Sequence, residues 1–164
     1  MVYTSDELFA NKIPSFETVI HTAFGRSYRS NQDVANSLAY TAKLFSWLKE
    51  NASSVNVINI SSQGCYNNKR PLNAYFSEET PVSPESPYGM AKYASELLLN
   101  EAIHAPHTNL RLASLTGGCS GLKPEVISKF VMKVINGENI SIVGGGKLSR
   151  IWMYMMQYLE LWQY

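Results

Sequence analysis

The order of hydrophobic patterns constrains this chain most. Short, mostly apolar runs alternate with segments of helical period. Thr18 to Phe24 reads as a strand, followed by a polar loop from Gly25 to Gln32. From Asp33 to Asn51, Val34, Leu38, Ala42, Phe45 and Leu48 recur at three- and four-residue steps, which predicts a helix with Asp33 as its N-cap. Val55 to Ser61 reads as a second strand, Tyr88 to Ile103 as a second helix and Leu110 to Leu115 as a third strand. A helix from about Pro124 to Asn136 and a short strand from Ile140 to Val143 complete the pattern, closed by Gly144, Gly145 and Gly146. Strands alternating with helices predict a parallel sheet with crossover helices, in three layers. Near-continuous apolar strands agree, because such a sheet is covered on both faces.

Ligands of open α/β sheets sit outside the carboxyl ends of the strands. That rule gathers Thr22 and Ala23, Ser61 and Ser62, and Ser114 at one edge. The loop leaving Ser62 runs to Pro87 and carries several prolines; a loop of that length inside a domain is usually functional. It ends on Ser86-Pro87-Tyr88-Gly89-Met90-Ala91-Lys92. Four residues apart on a helix, Tyr88 and Lys92 share a face. A positive charge beside a phenol favours the phenolate, which makes a proton donor and acceptor usable near neutral pH. The pair converges with the strand ends on one place; the bland alternative is a surface pair on a helix.

Composition narrows the classes. The chain has 164 residues, 45% of them hydrophobic and 16% charged, with a net charge of +1. That suits a globular protein with one real core and gives no electrostatic footprint for nucleic acid. No polybasic run, signal peptide or membrane-length apolar stretch is present, so a cytoplasmic protein without membrane contact is expected. Cys65 and Cys119 form no disulfide framework and no zinc-ligand spacing, so reduced, inert thiols and no metal are expected. His21, inside an apolar strand, is expected to be structural. The triple glycine after Val143 lacks the Lys-Ser/Thr of a phosphate loop and reads as a turn.

These residues together resemble the extended short-chain dehydrogenase/reductase family, in its NAD-dependent epimerase/dehydratase branch, from about Thr18 to Arg150. Val19 to Ala23 resembles the family's fourth strand, which ends beside the cofactor. Ile60 to Tyr66 resembles the fifth strand and its catalytic Ser/Thr, placed four residues before a tyrosine, which selects Ser62 over Ser61. Glu78 to Lys92 resembles the approach to the Tyr-x-x-x-Lys helix, and Leu110 to Gly117 the sixth strand. Gly137 to Gly146, then Arg150, resembles the segment where sugar-nucleotide enzymes hold the diphosphate, and an arginine fork suits that anion.

The resemblance implies catalysis by Ser62, Tyr88 and Lys92, and NAD or NADP held by Thr22, Ala23, Ser61, Tyr88 and Lys92. It implies a nucleotide sugar held by Ser62, Ser114 and Arg150. A homo-oligomer is left open. The fold implied is a partial Rossmann-like α/β structure without the N-terminal βαβ units. Residues 1–118 would be the later part of the NAD(P)-binding domain and 119–164 the start of a truncated substrate-binding region. No Gly-x-Gly-x-x-Gly occurs, although the family binds pyrophosphate on such a turn. The chain therefore reads as the middle of a longer enzyme, and the tail from Ile151 to Tyr164 as an orphaned piece of core or as residues translated out of frame. Two alternatives stand beside the main reading: a catalytically inactive fragment, and a carbonyl reductase acting on a small ketone.

Overall fold

The computed structural model describes residues 5–10, 14–25, 30–66, 76–116, 126–141 and 152–154. The chain divides into two units, one formed by Met1–Lys69 with Phe76–Arg111 and the other by Arg70–Tyr75 with Leu112–Tyr164.

The first unit holds helix α1 (Ser5–Phe9), strand β1 (Thr18–His21), helix α2 (Asn31–Asn51), strand β2 (Asn56–Ser62), helix α3 (Pro87–Ala102) and strand β3 (His107–Leu112). The strands form one parallel sheet in the order β1-β2-β3. Thr18 lies opposite Asn56 and His21 opposite Asn59, so both strands end at the same edge. This is the α/β Rossmann-like arrangement expected from the alternation of strand and helix.

Helices α2 and α3 pack together against one face of the sheet. The core there is Leu44, Phe45 and Leu48 of α2, Val57 of β2, and Leu99 and Ile103 at the end of α3. Burying each such side chain contributes about 1.5–3 kcal/mol. Helix α1 adds Phe9, whose ring meets Tyr40 and Trp47 of α2. Toward the strand ends the same face turns polar: His21, Asn59 and Ser61 are buried under the helices. The other face keeps Ile20 43% and Leu110 39% exposed, so the helices described in this unit cover one side only.

Several boundaries differ from the sequence expectation. Strand β1 ends at His21 rather than Phe24, and β2 runs one residue later at each end. The N-cap of α2 is Ser30, not Asp33: the Ser30 hydroxyl accepts from the Asp33 amide at 3.0 Å, leaving Asp33 in the first turn, where its charge suits the helix dipole. The expected third strand is two, because β3 stops at Leu112 and β4 (Ser114–Thr116) lies in the second unit.

In that second unit β4 pairs in parallel with β5 (Trp152–Tyr154), placing Ser114 opposite Trp152. The tail thus supplies a strand that the sequence did not reveal. Helix α4 (Val126–Ile135) ends one residue before the expected Asn136, and Ile140 and Ser141 are not in a strand. Pro124, Val143, the three glycines 144–146 and residues 155–164 lie outside the described residues.

Candidate active site

Helix α3 starts where its sequence directs. Ser86 is extended, and its hydroxyl accepts from the Gly89 amide at 3.0 Å. Pro87 fills the first helical position, where a missing N–H costs nothing. Tyr88 therefore sits in the opening turn, with Lys92 one turn on along the same face. The Lys92 side chain is buried, only 3% exposed, and its ammonium donates to the Ile60 carbonyl at 2.8 Å. That carbonyl lies near the carboxyl end of β2. The ammonium stands 4.0 Å from the centre of the Phe24 ring and 5.9 Å from that of Tyr88. Burial lowers the Lys92 pKa from 10.5 to about 8, so the group stays mostly charged at neutral pH.

Ser62 ends β2 and caps a single 3-10 turn, Gln63–Cys65, by accepting from the Gly64 amide at 3.0 Å. This turn lies directly against the start of α3. A Cβ placed on Gly64 would stand 3.3 Å from the Ser62 hydroxyl, 3.7 Å from the Gly89 Cα and 4.0 Å from Tyr88 Cδ1. The Ser62 hydroxyl and the Tyr88 ring thus flank Gly64, and the three residues expected to be catalytic share one edge of the sheet.

Ser61 points the other way, as strand alternation requires. Its buried hydroxyl donates to Glu96 Oε1 and lies 3.5 Å from Cys65 Sγ. Glu96 also accepts from Arg111 Nε at 2.9 Å and Nη2 at 2.6 Å, and Arg111 Nη1 donates to the Tyr66 hydroxyl at 2.8 Å. The hydrogen bond to Glu96 raises the Arg111 pKa further above its usual value. This cluster ties β2, the 3-10 turn, α3 and β3 together beneath the candidate site. The expectation that Ser61 contacts a cofactor could then be met only through its backbone. Cys65 is a free, buried thiol whose pKa burial pushes up, in keeping with an inert role.

Thr22 and Ala23 lie exposed just past β1, at the same edge. His21 before them is buried, with Nε2 2.9 Å from the Thr41 hydroxyl. Burial, and secondarily the Lys92 charge, lowers its pKa from 6.5 to about 4, so it is a neutral structural residue, as its apolar strand suggested. Sequence reasoning missed Phe24. Its ring meets that of Tyr88 edge-on, with centroids 6.0 Å apart at 85°. The available signal was an aromatic residue immediately beyond a strand end on the ligand side of the sheet.

Ser114 opens β4 in the second unit, and Arg150 lies outside the described residues. Among the described residues no cluster of His, Cys, Asp and Glu could hold a metal, and no helix is long and apolar enough to cross a membrane.

The chain is similar to known proteins in sequence and in fold. Over 91 residues, 52% of this chain, the sequence is 32% identical to a dTDP-glucose 4,6-dehydratase of Xanthomonas campestris, and the match spans 25% of that protein. The fold matches a UDP-glucuronic acid 4-epimerase from Bacillus cereus, solved with UDP-glucuronic acid and NAD, at a TM-score of 0.75 and 22% identity, covering 95% of this chain and 50% of that one. It also matches a UDP-N-acetylglucosamine 4-epimerase from Methanobrevibacter ruminantium at 0.71 and 26% identity, covering 93% and 52%. The chain thus spans a quarter to about half of the length of these proteins. Residues 4–162 match the profile of the NAD dependent epimerase/dehydratase family, and the chain belongs to that family.

Proposed function

We propose that this chain carries the acid/base centre of an NAD(P)-dependent nucleotide-sugar epimerase or dehydratase. The observation that carries the reading is the placement of Tyr88 and Lys92 on the opening turns of α3. There they lie against the Ser62 turn, with the Lys92 ammonium fixed on the Ile60 carbonyl.

The residues present fit the nicotinamide-ribose end of a dinucleotide. An ammonium has three donors, and among the described residues Lys92 gives one to protein, leaving N–H groups for ribose hydroxyls. Thr22 and Ala23 would line the same cofactor, with Ser61 contributing backbone only. When bound, the nicotinamide supplies hydride acceptance and donation. Tyr88 would exchange the proton of the reacting sugar hydroxyl, and Ser62 would hydrogen-bond and orient that oxygen. The buried ammonium of Lys92 would supply the positive charge beside that proton transfer. Ser114 and Arg150 remain candidates for the sugar nucleotide, whose diphosphate suits an arginine fork. Residues 1–118 would serve the cofactor and residues 119–164 the substrate. The sugar-nucleotide class is supported by the relatives, among them a dTDP-glucose dehydratase and a UDP-glucuronic acid epimerase.

The test is turnover of dTDP-glucose and UDP-glucuronic acid in the presence of NAD and NADP, comparing the wild-type chain with Tyr88→Phe. The expected result is product from wild type and a loss of about 10²- to 10⁴-fold in the variant, with dinucleotide affinity nearly unchanged. A full-rate Tyr88→Phe protein would end the assignment.

A further inference from the structure

The polypeptide between β1 and α2 is pinned at both ends of a short exposed stretch. At one end the His21 ring bonds the Thr41 hydroxyl at 2.9 Å. At the other the Gly25 amide donates to the Ser37 hydroxyl at 2.7 Å. Ser37 and Thr41 are successive turns of α2 and are themselves linked, because the Thr41 hydroxyl donates to the Ser37 carbonyl at 2.8 Å. Gly25 fits there because a Cβ would stand 3.0 Å from the Ser37 hydroxyl and 3.1 Å from the Asp33 carbonyl. Phe24 is thus delivered by a fixed backbone.

Its ring lands on the candidate site. One face lies 4.0 Å from the Lys92 ammonium, and the ring meets Tyr88 at 85°. The ammonium is therefore held on two sides, by the Ile60 carbonyl and by an aromatic face. A ring face attracts a cation through its quadrupole but takes no hydrogen bond of ordinary strength from it. It can keep the ammonium in place and still yield to a better acceptor.

We propose that Phe24 is a positioning residue for Lys92: its ring holds the ammonium beside Tyr88 in the dinucleotide-free protein and gives up that place to ribose hydroxyls when NAD binds. This rests on the functional reading above. It adds that the chain carries its own competitor for the cofactor's lysine. Binding of the dinucleotide displaces a cation–π contact rather than water alone.

The experiment joins NMR of the Lys92 ε-methylene, assigned by its loss in Lys92→Met, to calorimetric titration with NAD. Wild type, Phe24→Leu, which removes the ring at similar volume, and Phe24→Tyr, which keeps it, are compared. An upfield Lys92 signal is expected in wild type and Phe24→Tyr, moving downfield as NAD saturates, and absent in Phe24→Leu. Phe24→Leu should bind NAD about twofold to thirtyfold more tightly, the range of one cation–π contact, with Phe24→Tyr close to wild type. Unchanged or weaker binding by Phe24→Leu overturns the inference while leaving the functional reading intact. An unshifted wild-type Lys92 signal also overturns it. If no form binds NAD at millimolar concentration, the functional reading and the inference fall together.

Discussion

The Gly64 carbonyl oxygen lies where a side chain at Gly89 would have to go: a Cβ on Gly89 would stand 2.1 Å from it. The obstacle is backbone, so it cannot swing aside as a flexible side chain would. This approach seats the Ser62 turn on the first turn of α3 and so sets Ser62 beside Tyr88. Gly89→Ala should therefore push the turn off the helix, at a cost of about 1–3 kcal/mol or more. Chemical denaturation should show that loss, and activity should fall further than the fraction unfolded, because Ser62 and Tyr88 separate. Wild-type stability in Gly89→Ala would contradict the packing described.

The Glu96–Arg111 pair should matter more when broken than when replaced. Glu96 is almost fully buried and accepts both guanidinium bonds and the Ser61 hydroxyl. Arg111→Leu leaves that carboxylate without its cation and should cost about 3–5 kcal/mol. A double variant, Glu96→Leu with Arg111→Leu, should cost clearly less than the sum of the two single changes. Urea melts of the four proteins measure this, and simple additivity would show that the pair is not coupled.

Stability should fall in acid through His21. Its pKa is about 4 when folded, against 6.5 for the free side chain, so the unfolded chain binds the extra proton between those values. Stability from this residue is complete above pH 6.5 and declines toward pH 4, by up to about 3 kcal/mol. Lys92 acts in the alkaline range with the same sign. Its folded value is about 8 against 10.5, so stability should rise as pH increases from 8 to 10.5. Denaturation across pH for wild type and His21→Phe isolates the first effect. An identical acid slope in both proteins would contradict it.

The capping of α2 gives a local test. Ser30→Ala removes the acceptor of the Asp33 amide and should cost about 1 kcal/mol, whereas Asp33→Asn should cost only a few tenths. Thermal melts rank the two, and a larger loss for Asp33→Asn would restore the aspartate as the cap.

Much of this arrangement was legible in the sequence, for identifiable reasons. The period of Val34, Leu38, Ala42, Phe45 and Leu48 placed α2, and the strand–helix alternation gave the parallel sheet. Tyr88 and Lys92 were readable because helical spacing alone puts them on one face. What escaped depends on tertiary contact. Ser30 and Asp33 are both good caps, and sequence alone does not decide between them. Ser61 and Ser62 are adjacent and chemically alike, and only strand alternation under α3 sends one to Glu96 and the other to the site edge. Phe24 looked like the last residue of an apolar strand, yet the pins at His21 and Gly25 set its ring against Lys92 and Tyr88. Strand β5 was hidden because Trp152 to Tyr154 form a strand only by pairing with β4, far away in sequence.

Lys92, held beside Tyr88 near the end of β2, would be the handle for a nicotinamide dinucleotide. Calorimetric titration of the wild-type chain and Lys92→Ala with NAD and NADP tests it most directly. The expected result is saturable binding of at least one dinucleotide in the micromolar range and a loss of about tenfold or more in Lys92→Ala, since hydrogen bonds to a charged group are lost. Absence of binding at millimolar dinucleotide, or equal affinity in the two proteins, would contradict it.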